Sequence, residues 1–233
     1  MAKAHRIICL DTETTGLGKD DEIIQLSIAD AISGECLLNQ YFRPSDSLMK
    51  RCWDAAARVT GITPESVRDC LSLSDCDIHD FIQSIIDDAN IIVGYHLNFD
   101  VDMLERASFV FDDCSFQDPM HSFATFWWTS NPELKHVTKK GKEISPWLSW
   151  KKNIRGRKGQ WISKNLTFVA KYFDIDDFGA HDSMNDVHAT IGVWKGMNRI
   201  QQRINSENVN QCIEMPITYV ETFSRDELSL LDS

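Results

Sequence analysis

The sequence predicts an α/β protein: a mixed five-stranded sheet, begun by a three-strand antiparallel meander, continued by parallel strands and flanked by helices. Three observations predict it. Apolar runs of strand length crowd the first 42 residues, a turn-forming Ser33-Gly34 separates two of them, and from residue 76 onward helical periodicity alternates with short apolar runs. Ile7-Ile8-Cys9-Leu10 places the first strand at 6–10. The second and third, 22–30 and 35–42, form a hairpin across Ser33-Gly34. Between 76 and 90, Ile78, Phe81, Ile82, Ile85 and Ile86 fall at helical spacing, and Ile91-Ile92-Val93-Gly94-Tyr95 then reads as a buried strand. A helix is expected from about Asp100 to Phe109, and a short strand leads to Gln117-Asp118-Pro119, where the proline ends it. An insertion or long loop is expected over about 127–164, followed by helices at about 165–173 and 183–200. The last carries Met184, Val187, Ile191 and Trp194 along one face. Residues 1–200 read as one domain and 201–233 as a polar tail, in which Ser224-Arg225-Asp226-Glu227 is a capping-box pattern able to start a short helix.

Composition narrows the class. A chain of 233 residues with 42% hydrophobic content buries one sizeable core, and no apolar run approaches the ~20 residues needed to span a bilayer. The opening residues lack the apolar segment of a signal peptide, so a soluble, cytoplasmic protein without a membrane partner is expected. Seven cysteines without a Cys-x-x-Cys pair argue against a disulfide framework and against structural zinc. The net charge of −11 argues against nucleic acid, yet residues 135–164 hold ten Lys or Arg against the single acid Glu143, which makes that stretch +9 and the remainder −20. Trp147, Trp150 and Trp161 lie among those cations. Cations for phosphates and rings for bases suit a single strand of nucleic acid; a solvated loop with its tryptophans tucked inward is the plainer alternative.

The acids raise the sharper question. Asp11 and Glu13 stand two apart at the end of an apolar strand, so both carboxylates point to one face, and Gly16 lets the backbone turn just beyond. Asp100 lies where a buried strand meets a helix, and Asp186 lies on the helix that follows His181. Singly, Asp100 reads as a helix cap, Asp186 as a solvated helical acid, and His181 or His188 as a surface histidine. Asp102 and Asp182 are neighbouring acids suited to the surface or to supporting bonds.

Three ordered motifs carry a resemblance. Asp11-Thr12-Glu13-Thr14-Thr15-Gly16 matches D-x-E-T-T-G, His96-Leu97-Asn98-Phe99-Asp100 corresponds to H-N-x-x-F-D, and His181-Asp182-Ser183-Met184-Asn185-Asp186 corresponds to H-x-A-x-x-D with Ser183 for alanine. Val59-Thr60-Gly61-Ile62-Thr63 is similar to an intervening H-G-I-T phrase, and Leu166 to Ile175 to the helix before the third motif. Over about residues 5–200 the chain resembles the DnaQ-like, or DEDDh, 3′-to-5′ exonucleases of the ribonuclease H-like superfamily. Two departures stand out: Leu97 separates His96 from Asn98, and the basic, tryptophan-rich stretch exceeds the family's minimal core.

Four carboxylates drawn together repel and raise one another's pKa unless positive charge lies among them, and two divalent cations, Mg2+ or Mn2+, supply it through oxygen ligands. The resemblance implies that Asp11 bridges both ions, that Glu13 and Asp186 complete one site, and that Asp100 supports the other. It implies His181 as the base that takes a proton from the attacking water, since Asp182 occupies the position where the family's other branch carries tyrosine. It also implies Thr14, Thr15 and Leu17 around the terminal nucleotide, with His96 and Asn98 beside the strand. Lys151, Lys152, Arg155 and Arg157 would meet its phosphates through the basic stretch. The expected partner is nucleic acid with a free 3′ end, single-stranded DNA or an overhang by preference. RNA remains open, because nothing in the sequence reads a 2′-hydroxyl; so do protein partners and oligomeric state. Two rivals are a haloacid dehalogenase-type phosphatase, for which Glu13 is one methylene too long, and a nucleic-acid-binding module without catalysis.

Overall fold

The computed structural model describes residues 6–51, 53–138, 140–148, 160–175, 179–211 and 218–231. The chain opens with β1 (Ile7–Thr14), β2 (Ile23–Asp30) and β3 (Cys36–Tyr41), and continues through α1 (Asp46–Lys50), α2 (Asp54–Thr60), α3 (Cys76–Asp87), β4 (Ile91–Val93), α4 (Leu97–Arg106), β5 (Ser115–Gln117) and α5 (Pro119–Ser130). Two small ribbons follow, β6 (His136–Val137) with β7 (Glu143–Ile144) and β8 (Trp147–Leu148) with β9 (Gln160–Trp161), before α6 (Leu166–Tyr172), α7 (Ser183–Gln211) and α8 (Arg225–Ser229).

The main sheet has the order β3-β2-β1-β4-β5. β1 pairs antiparallel with β2 and β2 with β3, whereas β4 lies parallel to both β1 and β5. Period-two alternation along β1 divides the core. Ile8 and Leu10 face Ile82 and Ile86 of α3 and Leu97, Val101 and Leu104 of α4, all buried in one cluster. Cys9 faces the other way, with Ala29, Ala31 and Val93, against Met184, Val187, Ile191 and Trp194 of α7. The small side chains on that second face let α7 approach closely, and the Cys9 thiol donates to the Val187 carbonyl at 3.7 Å. Asp11 and Glu13 continue the row begun by Cys9 and so emerge beside the start of α7.

The meander, its turn and the parallel strands follow the expected pattern, and Gly34 takes the left-handed φ of 80° that the hairpin turn needs. Several helices differ from expectation. α4 begins at Leu97 rather than near Asp100, because His96 adopts a left-handed φ of 65° and turns the chain straight into the helix. Pro119 starts α5 rather than merely ending a strand: it sits in the first turn, and the Asp118 side chain caps it by accepting from Met120 N at 2.8 Å. α5 therefore fills residues up to 130, including the first part of the expected insertion. α7 runs to Gln211, past the expected end near 200. α1 and α2, unanticipated, help close a small cluster around Ile24, Leu48, Trp53, Ile62 and Val67.

The chain after 218 is packed on the body. Phe223 and Phe116 exchange backbone hydrogen bonds of 2.8 Å at the edge of β5, Ser224 forms a capping box with Glu227, and Leu228 of α8 is fully buried. Among the described residues, Cys9, Cys36, Cys70, Cys76 and Cys114 are free thiols, and no helix is long and apolar enough to cross a membrane. Lys151, Lys152, Arg155, Arg157 and Lys158 lie outside the described residues.

Candidate active site

The acids expected to act together do converge. In the antiparallel register Asp11 stands opposite Ser27 and Glu13 opposite Gln25, so these four side chains form one polar row on the α7 side of the sheet. That row holds the start of α7. Ser27 Oγ and Ser183 Oγ lie 2.6 Å apart, the Ser183 amide donates to Gln25 Oε1 at 3.4 Å, and Gln25 Nε2 donates to Asp182 Oδ2 at 3.4 Å. Ser183 is fully buried, so only a small side chain fits there, and its hydroxyl makes a bond that alanine could not. Asp182 also caps the helix by accepting from Asn185 N at 3.2 Å. Clamped this way, the first turns of α7 bring Asp186 and His181 to Glu13, and ligand atoms of the three residues all lie within 4.8 Å of one another.

Asp100 arrives from the opposite face. Its Oδ1 accepts from the Thr12 backbone amide at 3.0 Å and from Thr12 Oγ1 at 2.6 Å, which ties α4 to the strand between Asp11 and Glu13. The αL turn at His96 that aims α4 is itself held by a buried carboxylate. Asp118 accepts from His96 N at 3.3 Å and from Leu97 N at 3.0 Å, besides capping α5. At the other end of the first turn, Arg225 of α8 donates to Asn98 Oδ1 at 2.8 Å and to Glu105 at 2.7 and 2.8 Å, and pairs with Asp102. Asn98 is thus occupied by Arg225 and Asp102, Asp102 is an ion-pair partner, and His96 lies exposed at the head of α4.

The first motif continues into a tight loop. Thr14 Oγ1 donates to the Gly16 carbonyl at 2.7 Å and Thr15 Oγ1 to Asp21 Oδ1 at 2.9 Å, so both hydroxyls are spent within the loop, and the Thr15 amide donates to the Glu22 carbonyl at 2.9 Å. Gly16 is required for space rather than for φ: an added Cβ would lie 2.6 Å from Asp21 Oδ2, on a carboxylate fixed by Thr15, the Gly18 amide and Arg51. Leu17, in the loop that follows β1, projects with 85% of its surface exposed.

The electrostatics are those of uncompensated negative charge. Burial, then the carboxylates of Asp100, Asp186 and Glu13, push Asp11 well above the usual carboxylate range. Glu13 rises to about 8 through burial and then the charges of Asp186, Asp100 and Asp182. Burial raises Asp100 too, against the lowering effect of its two bonds from Thr12, and it raises Asp186 against the bond from the His181 amide at 3.2 Å. Asp186 Oδ1 is buried without a hydrogen-bond partner. A buried carboxylate oxygen lacking a donor, inside a group of acids that each hold their protons too tightly, is an unfinished site that hard cations would complete. The carboxylate oxygens fit hard divalent metal, and the His181 imidazole stands beside them.

A mixed sheet in this order, with acids at the end of its central strand, defines a ribonuclease H-like protein. The RNase_T family, described as exonuclease, matches residues 8–194, and the chain belongs to it, among the DnaQ-like 3′-to-5′ exonucleases. Solved structures of E. coli Exonuclease I share the fold: the complex with a dA16 oligonucleotide has a TM-score of 0.63 at 18% identity, covering 89% of this chain and 43% of that one. The complex with dT13 gives 0.63 at 20% identity over 88% and 44%, and the zinc-bound complex with single-stranded DNA 0.62 at 19% over 88% and 43%. The chain therefore spans less than half the length of those proteins. No curated protein sequence matches it.

Sequence reasoning missed Asp118 and Arg225. Asp118 had a local signal, an aspartate directly before a helix-starting proline, but its bonds to His96 and Leu97 join segments 21 and 22 residues apart. Arg225 lay inside the capping-box pattern and reaches α4 only through the docking of α8.

Proposed function

We propose that this chain is a metal-dependent 3′-to-5′ exonuclease that removes terminal nucleotides from single-stranded DNA or a 3′ overhang and releases nucleoside 5′-monophosphates. The convergence of Asp11, Glu13, Asp100 and Asp186, with His181 beside them and Asp186 Oδ1 lacking a donor, carries this reading. Asp11, Glu13 and Asp186 would hold one divalent ion, and Asp11 with Asp100 a second. When bound, Mg2+ or Mn2+ supplies positive charge for the phosphodiester oxygens and for the water beside them.

The chain's own groups do the rest. His181 is exposed at the mouth of the cluster, and its amide is anchored to Asp186, so its ring can receive the proton of the attacking water. The water oxygen bonds to the terminal phosphorus, the bond to the 3′-oxygen of the preceding nucleotide breaks, and that oxygen takes up a proton. The products are a 5′-mononucleotide and a strand one residue shorter with a new 3′-hydroxyl. Backbone groups at Thr14 and Thr15 would meet the terminal sugar, and Leu17 the terminal base. The likeness to Exonuclease I in complex with dA16 and dT13 supports single-stranded DNA as the polymer.

The test is digestion of 5′-labelled single-stranded DNA with Mg2+ or Mn2+. Stepwise shortening and 5′-mononucleotides are expected, with 3′-blocked strands resisting and His181→Ala slowing turnover by ~10²–10⁴-fold. Intact strands under every metal condition would leave a binding module in place of the enzyme.

A further inference from the structure

Two cavities lie in tandem beyond the carboxylate cluster. The nearer, about 460 Å3, is lined by Tyr95, His96, His121, Trp161 and Lys164 among others. The further, about 600 Å3, is lined by Trp128, Leu134, Lys135, Pro146 and again Trp161. The first opens at His96, four residues before Asp100, so it begins where the helix bearing that acid begins. The second leads away along β7 and the segment after α5. Half-buried Trp161 stands between them.

This wall is built rather than loose. Tyr95 Oη donates to the Lys164 carbonyl at 2.6 Å, and Trp128 Nε1 donates to the Ile162 carbonyl at 2.8 Å, which pins 161–164 between the β4–α4 turn and α5. The Lys164 ammonium lies 4.3 Å from the Trp128 ring centre, 5.3 Å from Phe168 and 5.6 Å from Trp127. Such contacts fix a cation that would otherwise swing freely. Lys135 supplies a second cation in the further cavity, and Glu143 is the one acid among the residues lining either.

We propose that the two chambers carry the single strand 5′ to the nucleotide being removed, with Trp161 as the stacking partition and Lys164 and Lys135 as successive phosphate contacts. The inference rests on the exonuclease reading for its direction, with the strand leaving the acids past His96, which lines the nearer chamber. Ring faces and cations are what every base and every phosphate share, so the groove takes a single strand irrespective of sequence. Its place on a body that is otherwise acidic favours one threaded strand over a duplex.

The experiment is anisotropy binding with metal-stripped full-length protein in EDTA, comparing a dinucleotide with a strand of about eight nucleotides, within the ~4–16 that single-strand grooves occupy. The wild type should favour the longer strand by about tenfold or more. Trp161→Ala should erase most of that preference and Trp161→Phe retain most of it, while Lys135→Ala should reduce the salt slope by about 1. Thermal melts verify folding; if Trp161→Ala does not fold, the Phe and Lys135 variants, with quenching of tryptophan fluorescence by the longer strand, decide. Undiminished length preference in Trp161→Ala, or an unchanged salt slope in Lys135→Ala, overturns the proposal, as does equal binding of a blunt duplex. If the protein cleaves DNA yet these variants bind like wild type, only the groove falls. If it never cleaves but the length preference depends on Trp161, the groove stands and the exonuclease reading falls.

Discussion

Replacing Glu13 by glutamine isolates the strain in the acidic cluster. Glu13 has its proton affinity raised from 4.5 to about 8 by burial and by its neighbours' charges. The folded state therefore binds the proton more tightly than the unfolded chain, and stability of the metal-free protein falls as pH rises from about 4.5 to about 8. At ~1.36 kcal/mol for each tenfold change in proton affinity, the ceiling is ~5 kcal/mol, and water reaching this half-buried carboxylate brings the effect to about 2 kcal/mol. Glutamine carries no charge at either pH, so Glu13→Gln should melt close to wild type at about pH 5 and above it at about pH 8. For a chain of this size about 2 kcal/mol corresponds to a rise of roughly 4–8 °C. Calorimetric or fluorescence melts of metal-stripped protein at both pH values measure it directly. Adding Mg2+ or Mn2+ should stabilise wild type more than Glu13→Gln at the higher pH, because the ion replaces the proton. If the two proteins melt together at about pH 8 without metal, Glu13 carries no such strain and the electrostatic argument fails.

Other substitutions probe the supports. Thr12→Val removes the 2.6 Å bond to buried Asp100, so it should cost about 1.5–3 kcal/mol and move the acid limb of the pH–rate profile upward; a profile superimposable on wild type would contradict the role given to Thr12. Leu228→Ala empties a fully buried position under α8 and should cost about 2–5 kcal/mol in a denaturant titration, whereas a loss below about 0.5 kcal/mol would mean that the tail is not docked.

The sheet was legible because its strands are bounded by local signals: an apolar run ending in two acids, a Ser-Gly turn, a buried Ile-Ile-Val segment after an amphipathic helix. The acidic cluster was legible because period two on β1 and the helical start of α7 fix where Asp11, Glu13 and Asp186 point once the elements are named. What escaped lacked a local pattern. α5 is aromatic on several sides, since Phe123 and Trp128 are buried while Phe126 and Trp127 pack half-buried against the same cluster as Phe123, and no single apolar stripe marks it. The end of α7, residues 205–211, is polar apart from Val209, so the sequence there offers no apolar stripe to mark a helix. Asp118 and Arg225 act through contacts between segments distant in sequence, which residue spacing does not encode. Spacing marks Gly16 only as a turn residue, and the structure gives it a different reason, the closeness of the Asp21 carboxylate.

The central claim is that four separately placed carboxylates share divalent cations. Titration calorimetry of Mn2+ into metal-stripped protein near pH 7, repeated in buffers of different ionisation enthalpy, tests it directly. The account predicts saturable binding with release of roughly one proton or more, as Glu13 and its neighbours give up protons they hold too tightly, and loss of that binding in Asp11→Asn. Wild-type protein that takes up no Mn2+, or an Asp11→Asn variant that binds it equally well with the same proton release, would contradict the account.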